Sequence, residues 1–149
     1  MLTDFLKPSG QLKIVLRDKD GNIKSEKTET NLVVTTGLNY IAARMTDTSE
    51  PTDMSHMAVG TGTTAAAAGQ TALVTESARV ALTGGEGAPS TNTIVYTATF
   101  PAGTGTGALT EAAVLNAAST GTMLCRTVFS AVNKGADDSV TITWTITIS

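Results

Sequence analysis

Apolar and polar residues alternate along most of this chain, and the dominant period is two. Over 139–149, Val140, Ile142, Trp144, Ile146 and Ile148 alternate with Thr141, Thr143, Thr145 and Thr147, the clearest strand in the sequence. Over 93–100, Ile94, Tyr96, Ala98 and Phe100 share one parity, while Thr93, Thr97 and Thr99 share the other. Over 11–18, Leu12, Ile14 and Leu16 alternate with Lys13, Val15 and Arg17. The turn Asp18-Lys-Asp-Gly-Asn22 follows, with Gly21 where a positive φ is needed, and a polar strand over 23–30 returns. That second strand carries Lys24, Glu26, Lys27 and Glu29, a charge pattern that guards a sheet edge.

Strands are also predicted over 54–60 and 76–83, and as a hairpin over 109–116 and 122–130. Residues 31–36 read as a short apolar strand or an extended link. Between 37 and 46 the period changes. Leu38, Ile41, Ala42 and Met45 recur at helical spacing, with Thr36 as the expected cap, which predicts one short helix. Eight or nine short strands separated by turn signals predict an all-β fold, an antiparallel β-sandwich of jelly-roll-like kind. The domain is expected to span 11–149. Residues 1–10 are expected to form a flexible N-terminal arm.

Composition sharpens this picture. Of 149 residues, 28 are Thr and only 15% are charged, so the exterior is expected to be neutral and hydroxyl-covered. The net charge of −3 argues against duplex nucleic acid as a partner, which would call for a basic excess. One Cys, Cys125, allows no internal disulfide, and one His, His56, allows no zinc site of the usual kind within one chain. No apolar run reaches membrane-spanning length, and Met1-Leu-Thr-Asp-Phe-Leu-Lys-Pro8 lacks the basic start of a signal peptide. Folding in a reducing cytoplasm is the expectation.

Several motifs invite chemistry and lose it on inspection. Gly60-Thr-Gly62-Thr-Thr-Ala65 fits a dinucleotide fingerprint, but Gly69 interrupts the helix that must follow, and no alternation of strands and helices surrounds it. Asp18, Asp20, Asn22 and Glu29 mimic part of a calcium loop, yet Ile23 stands where its glycine belongs. Glu76 and Glu111 could form a glycosidase-like carboxylate pair, with Trp144 as a sugar platform. The simpler reading makes Glu111 and Arg126 an ion pair, nearly opposite each other across the 109–130 hairpin, with Arg79 nearby. His56, Cys125 and Trp144 read as structural residues. No catalytic, cofactor or metal site survives.

Three sets of residues carry a family resemblance. Asn31-Leu-Val-Val-Thr-Thr-Gly-Leu38, and Met57-Ala-Val-Gly-Thr-Gly-Thr-Thr-Ala65 with Thr71-Ala-Leu-Val-Thr-Glu-Ser-Ala-Arg79, resemble the N-terminal half of small tailed-bacteriophage structural proteins. Leu109-Thr-Glu-Ala-Ala-Val-Leu115, Gly121-Thr-Met-Leu-Cys-Arg-Thr-Val-Phe-Ser130 and Asp138-Ser-Val-Thr-Ile-Thr-Trp-Thr-Ile146 resemble their C-terminal half. Such proteins serve as capsid cement (decoration) proteins and as tail-fibre or baseplate parts. The resemblance implies a virion role without enzymatic activity. The short chain and the absence of heptads or a fibrous repeat favour the capsid exterior.

The expectation is therefore a cement protein, made in the host cytoplasm and placed on the capsid surface. Its partners would be the major capsid protein and copies of itself, with no cofactor, nucleic acid, membrane or small-molecule substrate. A tail-fibre or baseplate part is the alternative, and a carbohydrate-binding β-sandwich the third reading. The loops at 61–70, 84–91 and 101–107, rich in Gly, Ala and Thr, and the arm are the expected contact surface. Its candidate residues are Leu2, Phe5, Leu6, Thr63, Ala66, Gly103 and Gly105.

Overall fold

The alternating segments become strands of one antiparallel sheet, seen in a computed structural model that describes residues 6–46 and 51–149. Along the chain these are β1 (Pro8–Arg17), β2 (Ile23–Val33), α1 (Thr35–Arg44), β3 (His56–Gly60), β4 (Glu76–Ala81) and β5 (Ala88–Ser90), then β6 (Thr93–Phe100), β7 (Gly107–Leu115), β8 (Met123–Lys134) and β9 (Ser139–Ile148). Their order across the sheet is β4-β3-β7-β8-β2-β1-β9-β6-β5. The fold is all-β and antiparallel with one short helix, as the periodicity predicts.

β2 makes the corner of the sheet. Its length up to Asn31 pairs with β1, whereas only Leu32 and Val33 pair with Arg126 and Cys125 of β8. Where β2 and β8 part, side chains bridge the gap. Thr127 Oγ1 donates to the Thr30 carbonyl at 2.7 Å, and Lys27 Nζ to the Ser130 carbonyl at 2.6 Å. The charges of β2 thus lie along a strand that is paired on one side only over most of its length, where they discourage edge-to-edge pairing. At the far side the curl brings the end of β4 back to β6, and the Thr83 N–H donates to the Thr97 carbonyl at 2.7 Å.

Both halves of the curled sheet face one core. Leu12, Ile14, Ile142, Trp144, Ala98 and Phe100 come from one half, and Met57, Val59, Val114, Cys125 and Phe129 from the other. Trp144 is fully buried at its centre, and its Nε1 has no hydrogen-bond partner among the described residues. Cys125 is buried, and burial pushes its thiol pKa up, as befits an inert core residue.

Several boundaries differ from the sequence reading, and β8 runs on to Lys134. β1 begins at Pro8, and Lys7 and Ser149 exchange two backbone hydrogen bonds, so residues 8–10 of the expected arm belong to the sheet. Proline tolerates this place because a strand's first residue needs no ladder N–H. Residues 31–33 continue β2. The helix starts at Thr35, with Val34 as N-cap and no side-chain cap. Thr36 Oγ1 instead donates to the Met123 carbonyl at 2.8 Å. Gly37 lies against β8, where a Cβ would stand 2.0 Å from the Leu124 carbonyl oxygen. The loop at 84–91 contains β5, three exposed residues that pair with β6.

Register also fixes which loops are neighbours. Gly60, Glu76, Phe100, Gly107 and Lys134 end or begin strands at one end of the sheet. His56, Ala81, Thr93, Leu115 and Met123 do so at the other. The loops at 61–70 and 101–107 therefore leave from one end and the loop at 84–91 from the opposite end. The three do not form one continuous surface, because consecutive antiparallel strands alternate direction.

Candidate functional site

Residues 61–75 carry no charge, yet they are fastened to the sheet by charged groups. After β3 the chain folds back over the outer face of β7 and β8 as a strap. Glu111 of β7 and Arg126 of β8 point outward beneath it, and both are fully buried. Glu111 Oε1 accepts the N–H groups of Gly62 at 2.9 Å and Thr75 at 2.7 Å. Oε2 accepts the Val74 N–H at 3.0 Å and the Arg126 guanidinium through Nε at 3.1 Å and Nη2 at 2.8 Å. Arg126 also donates to Gln70 Oε1 at 2.8 Å and to the Thr64 carbonyl at 2.9 Å.

Both ends and the middle of the strap thus meet one ion pair. Burial alone would push the Glu111 carboxyl up. The hydrogen bonds from Thr75, Arg126, Val74 and Gly62 outweigh it and hold the group below the usual carboxylate range. Gly62 has to be glycine here, since a Cβ would lie 2.5 Å from Glu111 Oε1. Leu73 packs beside the pair into a second apolar cluster with Val34, Ala58, Ala113, Leu115 and Met123. The outer face of this half of the sheet is therefore covered by the strap and by the start of α1, where the Thr35 N–H donates to the Ala68 carbonyl at 2.8 Å.

Sequence spacing places Glu111 and Arg126 together but misplaces their register. Arg126 stands opposite Ala113, and Glu111 opposite Val128, so the pair runs diagonally on one face. Irregularities after Leu109 and Val114 shift the ladder, and the long arginine side chain spans the offset. Arg79 does not join them. It grips Glu76 with Nε and Nη2 at 2.9 and 2.7 Å and donates to the Ala117 and Thr120 carbonyls, tying β4 to the β7–β8 turn.

The other candidates find local roles. Glu76 and Glu111 both flank Gly60 across β3, but every Glu111 oxygen is engaged and sealed from solvent, which leaves no carboxylate pair facing a cleft. His56 is half-buried at the start of β3, its Nδ1 2.8 Å from Ser55 Oγ. Asp18 Oδ1 accepts the N–H groups of Asp20 and Asn22, each at 2.9 Å, so the carboxylate shapes the β1–β2 turn. The glycine motif at 60–65 runs into the strap with no helix after it. Among the described residues, no group of three or more His, Cys, Asp and Glu could hold a metal ion.

Of the expected contact residues, Thr63 and Ala66 line a groove of about 450 Å³ between the strap and the β2–β8 corner, together with Leu32, Thr127 and Val128. Gly103 is exposed, whereas Gly105 is turned inward, a Cβ there standing 3.2 Å from Val59 Cγ2. Leu6 is 62% exposed, and Leu2 and Phe5 lie outside the described residues. Val74 (51%) and Leu38 (46%) add exposed apolar surface on the strap and on α1, a feature that strand and helix periodicity did not single out. No protein-family model, curated protein or solved structure matches this chain.

Proposed function

We propose that the chain is a non-enzymatic structural protein of a tailed-phage virion, a cement protein that lies on the capsid exterior and bridges neighbouring major capsid proteins. The observation that supports this best is the strap. A neutral loop is held in one shape by a fully buried ion pair, through five short hydrogen bonds that Glu111 and Arg126 share with the loop. A protein that works by lying against other subunits gains from surface fixed in advance, because each rotamer-rich side chain ordered on binding costs about 0.5–1.5 kcal/mol. Small uncharged residues add close approach with little desolvation cost. Binding the assembled lattice in preference to free subunits would stabilise the head by mass action.

The reading includes self-association and no cofactor, nucleic acid, membrane or small-molecule partner. Gold-labelled antibody against the chain, imaged on intact particles by electron microscopy, tests it. The proposal expects label distributed over the head. Label confined to the tail tip or fibres would transfer the protein to the tail, and unlabelled particles would remove it from the virion.

A further inference from the structure

We draw no further inference here: the strongest candidate, the open apolar groove of about 230 Å³ between Tyr40 and Ile41 of α1 and the residues Ile94, Tyr96, Ile146 and Ile148 of β6 and β9, carries nothing because nothing in the structure shows what covers it.

Discussion

Replacing Arg126 by Met removes a guanidinium but leaves the Glu111 carboxylate in a site with no solvent. Breaking a buried pair from one side typically costs about 3–5 kcal/mol. A loss of that size in the denaturant-unfolding free energy is the expected outcome, and a midpoint that hardly moves would put the pair in water. Acid tests the same residues. Glu111 and Asp138 are both held below their ordinary pKa values. Hydrogen bonds from Thr75, Arg126, Val74 and Gly62 outweigh burial at Glu111, and at Asp138 the bond from Lys24 leads. A depressed folded pKa contributes stability above the unfolded carboxylate pKa, about 4, and that contribution is lost as pH falls through the lower folded value. Stability measured by urea titration is therefore expected to be flat at neutral pH and to decline in acid. Glu111→Gln should start lower and show a shallower acid slope. The pair could be read from the sequence because Glu111 and Arg126 interrupt uncharged strands. Its diagonal offset could not, because a ladder irregularity leaves no mark on apolar alternation. The three backbone donors at 62, 74 and 75 were likewise hidden, since they depend on where a loop returns in space.

Glu111 holds the strap at both ends, through Gly62 and through Val74 and Thr75. Gly62→Ala forces a methyl group to within 2.5 Å of Glu111 Oε1, so either the carboxylate or the strap must shift. Overpacking of this kind costs about 1–3 kcal/mol. Amide hydrogen exchange should report it locally, with faster exchange at Val74 and Thr75 and unchanged protection in β9. Uniform loss of protection across the sheet would mean that the strap is not a separable unit. Whereas β7 and β8 bury both faces beneath the strap, β6 and β9 were legible because each buries one face and so alternates cleanly. β5 was not, because all three of its residues are exposed and nothing in them marks a buried side. The helix was legible from its period, but its packed face was not: Leu38, Ala42 and Met45 are exposed, and Gly37, Tyr40 and Ile41 lie against the sheet. Its true start was not, because Thr36 donates to the neighbouring strand at Met123 instead of capping its own helix.

For the molecule as a whole, the curled sheet separates the three small-residue loops. Residues 61–70 and 101–107 leave one end, while 84–91 sits at the other with α1 and both ends of the described chain. A contact surface built on the strap should therefore respond to Thr63→Arg, and a charge near 84–85 should have little effect on it. Thr63 is exposed, so the substitution is expected to change stability by no more than about 0.5 kcal/mol. A large drop in melting temperature would instead assign position 63 to the fold. The most direct test of a cement role is co-sedimentation of the purified protein with expanded heads that lack it, followed by heating of the decorated heads. The account predicts saturable binding, a higher temperature for head rupture, and loss of both with Thr63→Arg while the soluble variant still melts like the parent. Heads that bind no protein, or that rupture at the same temperature with and without it, would contradict it.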